Sequence, residues 1–345
     1  MTEQSSIVDD LMTTTVEITQ QTATGSDMTS SLSRGAGFYF QCAVVVIGVV
    51  GTAANALILY AMVASKQQKK HLLIVNQNAL DLIACVFLVI SYSVKLCNIR
   101  LTGNSGHWLC ATILSEAFVW WGQLGSRLSL AIVTIDRYLK IVHPIRTKKW
   151  LRGRVIHSAM AFSWISALIY SLAVNFNTTA VIDGVCLAAV IWKSQEVMAA
   201  HGIWNFMSFY VIILLIIIFC YGRILIAIRH QAKVMAGHAG SGGTSAAQAQ
   251  SHQIQTNVIK TMLLVSVFYA VTTFPVDFYF LLANVKANVT LNEGGYYATV
   301  FFVFFYSCTN PVIYATQFHP VKNTLLTWIS RHKNSVAPVS QNLNT

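Results

Sequence analysis

The chain has 345 residues, of which 55% are hydrophobic and only 10% charged, with a formal net charge of +11 at pH 7 and a mean hydropathy of +0.56. Soluble domains carry roughly a quarter charged residues, so these values exclude one and describe a chain that lives in lipid. The basic excess is a topology signal facing anionic lipid, and nucleic acid is excluded as a partner.

In chain order, the residues before about Phe38 are polar and rich in Ser and Thr. They lack the basic stretch and apolar core of a cleaved signal peptide, so residues 1–37 are expected to form a disordered extracellular tail. A helix needs about 20 apolar residues to cross roughly 30 Å of hydrocarbon. Such runs fall at 38–64, 72–94, 109–139, 155–174, 203–228, 258–283 and 296–316. The fold class expected is an all-α membrane protein, a seven-transmembrane-helix bundle over residues 38–317. Residues 318–345 are read as a short amphipathic eighth helix and cytoplasmic tail, because Val321, Leu325, Leu326, Trp328 and Ile329 are apolar beside Lys322 and Arg331.

Lys and Arg choose the orientation. One side collects Lys66, Lys69, Lys70, Arg137, Lys140, Arg146, Lys148, Lys149, Arg152, Arg154, Arg223, Arg229, Lys233, Lys260 and Lys322, with Asp136 as its acid. That side is cytoplasmic, and the N-terminus is outside. Two Asn-x-Thr acceptors, at Asn177 and Asn288, fall in outer loops, where glycosylation is expected. The inner loop at 229–257 is dominated by Gly, Ala, Ser and Gln and reads as a flexible linker. No phosphate-loop, metalloprotease, nucleophile-elbow or zinc spacing is present, so nothing marks an enzyme.

Ionisable groups at membrane depth are costly and functional candidates by default. Four stand out: Asp81, Glu116, Arg127 and Asp277. Asp277 lies two residues beyond Pro275 and should face the bundle interior, so an Arg127–Asp277 pair is expected. A hydrated Arg127, or one that meets Asp81, is the alternative.

Two motifs carry a resemblance. Asp136-Arg137-Tyr138 stands at the inner end of the third run, and Asn310-Pro311-Val312-Ile313-Tyr314 closes the seventh. Asn55, Asn76, Leu80 with Asp81, Trp164, Tyr221 and Pro275 follow in order on successive spans. Together these resemble the rhodopsin-like (class A) G-protein-coupled receptor family over roughly residues 38–329. The resemblance implies a plasma-membrane, multi-pass receptor that binds an extracellular ligand and activates a heterotrimeric G protein, with arrestin and receptor kinases as further partners. Asp136 would hold Arg137 inactive, and movement of the sixth span would free Arg137 to meet the G protein, supported by Tyr221 and Tyr314. Pro144 and Ile145 would begin the inner loop that touches the same partner.

The family also implies a disulfide between Cys110, which opens the third span, and Cys186, with Cys97 as the competing outer cysteine. Here Cys110 stands two residues farther from Arg137 than the family places it, which implies an insertion or bulge. Asn55, Asp81, Ser126, Ser307 and Asn310 resemble the family's sodium pocket, where oxygen ligands suit a hard cation; a water-filled polar cluster is the alternative. The usual fifth-span proline is replaced by Ile213, which leaves a straighter helix or a bulge of another cause. Thr273 stands at the usual aromatic toggle, and Gln255 lies near the usual acidic lock, departures that imply basal activity.

Ligand class is left open between a short peptide and a small organic molecule. A Schiff base to retinal is excluded, because 296–316 contains no lysine, and Val119 replaces the amine-binding aspartate. The outer cavity is expected to draw on Trp108, Trp120, Trp121, Trp204, Phe206, Tyr210, Phe278, Tyr279 and Tyr297, with Glu116, Val119 and Asp277 as candidate contacts. Two other classes compete: a receptor-shaped heteromerisation partner that never signals, and a transporter or channel, against which no internal repeat is found.

Overall fold

In lipid every backbone N–H and C=O must be satisfied within the chain, and helices do this locally. The computed structural model describes residues 27–68, 71–150, 153–188, 192–238, 246–286, 293–317, 321–324, 326–327 and 330, with side chains at 27–34, 148–150, 232–258 and 293 outside that set. The helices are α1 (Asp27–Ala64), α2 (Leu72–Leu96), α3 (Gly103–Leu109), α4 (Ala117–Val142), α5 (Pro144–Trp150), α6 (Gly153–Thr178), α7 (Gln195–Phe206), α8 (Ile212–His238), α9 (Ala246–Val285) and α10 (Glu293–Gln317). The spans in chain order are α1, α2, α4, α6, α7 continued as α8, α9 and α10. This is the all-α bundle expected from the apolar runs. Helix α1 begins at Asp27, so part of the segment assigned to a disordered tail is helical.

Six of the seven spans are long and apolar enough to cross a membrane by composition alone. The exception is α4, where Trp120, Trp121, Gln123 and Arg127 dilute the apolar residues. It tolerates them because it is the central helix, packed against α2, α6 and α8. Close approach is made by small residues, as in other membrane bundles. A Cβ on Gly122 would lie 2.8 Å from both the backbone N and the Cβ of Ala84 on α2. One on Gly51 would lie 2.6 Å from the sulfurs of both Cys85 and Cys308.

Two spans depart from regular α-helix. Cys110–Leu114 forms a π-turn, closed by Ser115 N–H donating to the Cys110 carbonyl at 2.9 Å, and Glu116 follows in the left-handed region at φ 62°. This turn absorbs the extra length between Cys110 and Arg137. Met207–Val211 is a second π-turn, in the fifth span. The bulge has a cause other than proline: the buried Tyr269 hydroxyl on α9 donates to the Phe209 carbonyl, and the Tyr210 hydroxyl donates to the Ala270 carbonyl at 3.1 Å.

Between α6 and α7 the chain forms an antiparallel hairpin of β1 (Ala180–Ile182) and β2 (Val185–Leu187), with Val181 opposite Cys186. Of the expected eighth helix, residues 321–324 are helical and Val321 is buried against the inner core. Leu325, Trp328, Ile329 and the tail lie outside the described residues, as does Asn288.

Candidate functional site

At the outer end, Cys110 is disulfide-bonded to Cys186 with a Cα–Cα distance of 5.4 Å. The bond ties the start of the third span to β2, and Cys97 is free and exposed. Just inside it, Glu116 is paired with Lys95 of α2, whose Nζ sits 4.4 Å over the Tyr92 ring. The left-handed backbone at Glu116, costly for a residue with a Cβ, turns this carboxylate toward α2 and away from solvent. Asn177 is exposed in the last turn of α6, its amide donating to the Ala173 carbonyl at 2.7 Å.

The aromatic residues divide. Trp108, Trp204 and Phe278 are exposed, as aromatic residues at a lipid or interfacial surface are. Trp121 donates to the Trp164 carbonyl at 3.0 Å and belongs to the α4–α6 interface. Val119 is sealed in packing with Leu88, Tyr92, Val276 and Phe304, so it is a core residue and lines nothing. The remaining rings converge: Trp120 lies 6.2 Å from both Phe280 and Phe304, Tyr279 5.8 Å from Tyr296, and Phe40 stacks on Tyr297 at 4.4 Å. Deeper, Phe206 stacks on Tyr210 at 5.4 Å.

At mid-depth Arg127 Nη1 donates to both carboxylate oxygens of Asp277 at 3.0 Å. Arg127 is 1% exposed and Asp277 3%. The guanidinium is satisfied only in part, because Nε and Nη2 have no hydrogen-bond partner. Tyr269 and Tyr306 stand within its electrostatic reach.

One layer further in, the fully buried Asp81 accepts from Asn310 Nδ2 at 2.7 Å and from Ser307 Oγ at 3.3 Å. Gln123 also donates to Ser307 Oγ, at 3.0 Å. Asn55 is close by but donates to backbone, to Gly51 at 2.9 Å and Ser307 at 3.0 Å. Ser126 Oγ, Asn310 Oδ1, Gln123 Oε1 and Asn55 Oδ1 are buried without partners. A buried carboxylate bonded to Asn310 and Ser307, with the Asn310 and Ser126 oxygens left unpartnered, offers oxygen ligands of the kind a hard cation takes. On the same helix Asn76 accepts from Trp164 at 2.7 Å and donates to Ser129 at 3.0 Å, joining α2 to α6 and α4.

At the inner end Asp136 accepts from Lys140 Nζ at 2.8 Å, one turn along α4. Arg137, its neighbour, is half-buried, and among the described residues it makes no ion pair with Asp136. The family's arrangement, in which the aspartate holds the arginine, is not formed here: Lys140 engages Oδ2 alone, and Asp136 Oδ1 and Arg137 Nε are buried without hydrogen-bond partners. Arg137 instead lies within electrostatic reach of the Tyr221 and Tyr314 hydroxyls. Tyr314 donates to Gln77 Oε1 at 3.5 Å, and Gln77 Nε2 donates to Tyr306 at 3.4 Å. Tyr138 is bonded to His143 at 3.2 Å. Pro144 opens α5 at the position where its missing N–H is harmless, and Ile145 beside it is 87% exposed. Pro275 and Pro311 lie within α9 and α10.

Sequence reasoning missed Lys95, Gln77, Gln123 and Tyr306 as members of these sites. For Gln77 a signal existed, since it stands four residues before Asp81 on the same helix face. For Lys95 none did, because its pairing depends on the left-handed turn at Glu116.

Known proteins share this sequence pattern. Residues 54–314 match the family described as 7 transmembrane receptor (rhodopsin family). The chain is 25% identical to somatostatin receptor type 5 of Rattus norvegicus over 282 residues, covering 77% of this chain and 70% of the relative. It is 23% identical to somatostatin receptor type 2 of Mus musculus over 309 residues, covering 86% of this chain and 76% of the relative. Melanopsin of Podarcis siculus is 25% identical over 285 residues, 80% of this chain and 58% of the relative, so the chain spans little more than half of that protein. With the family match reaching from the first span to Tyr314 and the motif residues gathered at the two ends and the middle of one helical bundle, the chain belongs to the rhodopsin family of seven-transmembrane receptors.

Proposed function

We propose that this protein is a plasma-membrane receptor, N-terminus outside, that binds an extracellular ligand and activates a heterotrimeric G protein through Arg137. The observation that carries this reading is the state of Arg137 itself. Its neighbouring carboxylate is paired with Lys140, its surroundings hold Tyr221 and Tyr314, and Ile145 stands uncovered on the short helix that follows α4. A cation and an exposed apolar side chain on the same inner face would make a docking pair for a G-protein subunit. Displacement of α9 would open the space above Arg137. Arrestin and receptor kinases would use the same inner face, and inner-leaflet anionic lipid would meet the basic loops.

The ligand is read as a short peptide or a small organic molecule. The outer cluster of Trp120, Phe280, Tyr279 and Tyr296 offers it aromatic surface, and the Lys95–Glu116 pair offers charge. The likeness to somatostatin receptors puts somatostatin-like ligands first in a screen. Helix α10 contains no lysine, so no Schiff-base ligand is proposed. Asp81, Ser126, Ser307 and Asn310 would hold a sodium ion that favours the resting arrangement.

The test is nucleotide exchange in cells that express the wild-type chain or Arg137→Ala, across the main G-protein classes, with surface expression measured in parallel. A signal lost in Arg137→Ala at equal surface expression supports the reading. An equal signal above mock-transfected cells from both proteins sinks the role of Arg137.

A further inference from the structure

The sequence lacks two devices that hold the sixth span in place. The toggle position is Thr273, whose hydroxyl is bonded to the Tyr269 carbonyl of its own helix at 2.8 Å and so reaches no other span. The acidic lock usual at the foot of the sixth span is missing as well, with Gln255 near that place. Helix α9 nevertheless has to be kept against the bundle. Its main neighbours are α10 and α7, and it approaches α4 over only a short stretch. In that stretch lies the one ion pair that, among the described residues, joins two spanning helices at mid-depth: Arg127 on α4 with Asp277 on α9.

We propose that the Arg127–Asp277 pair is the restraint that keeps α9 closed against α4 in the resting protein. This rests on the reading above, in which signalling follows displacement of α9.

Three observations carry it. First, the pair is dry, with both side chains almost fully buried, so its separation strands two charges in the membrane interior unless they find other partners. Second, Asp277 sits two residues beyond Pro275, which interrupts the helix ladder inside α9. Anchoring one side of that weak point to α4 controls how the other side swings. Third, the anchor is releasable. Only Nη1 of the guanidinium is engaged, while Nε and Nη2 are buried and unpartnered, so Arg127 retains the side-on edge that grips an acceptor bidentately. A group entering from the outer cavity, or a rearranged Tyr269 or Tyr306, has donors ready to receive it. The pair thus has the properties of a two-position element and not only of a staple. It also reverses the expectation from the missing toggle and acidic lock: the wild-type protein should be quiet, because a different restraint stands in for them.

The experiment measures α9 directly, without a G protein. Spin labels are placed at Lys66→Cys, beside the inner end of α1, and Lys260→Cys on α9, in a Cys42→Ser/Cys97→Ser background reconstituted in lipid nanodiscs. The expected result is a single short distance for the otherwise unchanged protein and a population at longer distance for Asp277→Asn and for Arg127→Gln. The charge-swapped protein, Arg127→Asp with Asp277→Arg, should return to the short distance. If the single variants do not fold, the apolar replacement Arg127→Met with Asp277→Leu decides, because removing both charges together spares the bundle an orphaned ion; it should show the long population. The short distance alone in every folded variant overturns the proposal. Nucleotide exchange measured on the same discs separates the two claims. A long distance with exchange raised several-fold supports both; a long distance without exchange on any G-protein class keeps the restraint and removes the coupling.

Discussion

The carbonyl of Phe209, within the π-turn of the fifth span, accepts the hydroxyl of Tyr269 from the sixth. A buried carbonyl that loses its donor costs about 1–3 kcal/mol. Tyr269→Phe removes the hydroxyl and little else, so it should destabilise the protein by about that amount, read as a lower unfolding midpoint in detergent micelles. An unchanged midpoint would mean that the bulge satisfies itself in another way.

Gly122 faces Ala84 across the α2–α4 interface, where an added Cβ would meet the Ala84 nitrogen at 2.8 Å and its Cα at 2.9 Å. Backbone cannot rotate out of the way as a side chain does. Gly122→Ala should therefore cost about 1–3 kcal/mol through overpacking and reduce surface expression, while Gly153→Ala, with nothing within 4 Å, should leave both unchanged. Equal behaviour of the two variants would contradict the packing described.

The disulfide closes a sequence separation of 76 residues. Cys110→Ser and Cys186→Ser should each cost about 2–5 kcal/mol and deplete the protein at the cell surface. Cys97→Ser should not, because Cys97 is free. A loss on Cys97→Ser equal to the others would show that the outer cysteines exchange partners.

The bundle was legible in the sequence because lipid leaves so few options: apolar runs of span length have to be helices. The bulge in the third span was legible as well, from the spacing of Cys110 and Arg137. The hairpin carried a signal that went unread, since Asp183-Gly184 between two short β-branched runs is a hairpin turn, and both residues have positive φ. What sequence spacing did not hold was helix rotation. Trp108, Trp204 and Phe278 carry the same aromatic label as Trp120, and only the rotation of each helix decides which faces lipid. The same holds for Lys140, whose ion pair with Asp136 is a local side-chain geometry that no motif records. The Arg127–Asp277 contact was approachable because a buried charge demands a partner, and Pro275 fixed which way Asp277 faces.

Sodium should raise the thermal midpoint of the wild-type protein in exchange for choline at constant ionic strength, by mass action on the folded state. Asp81→Asn, which keeps the size of the side chain and removes its charge, should abolish that dependence. A sodium effect that survives Asp81→Asn would place the ion elsewhere, and no effect in either protein would leave the buried oxygens to water.

The most direct test of the account is GTP exchange on purified heterotrimers of each class, catalysed by the receptor in lipid nanodiscs, with wild type, Arg137→Ala and Asp277→Asn compared at equal amounts of folded protein. The account predicts a low wild-type rate above empty discs for at least one class, a higher rate for Asp277→Asn, and none for Arg137→Ala. A rate no higher than empty discs from both wild type and Asp277→Asn, on every class, would contradict it.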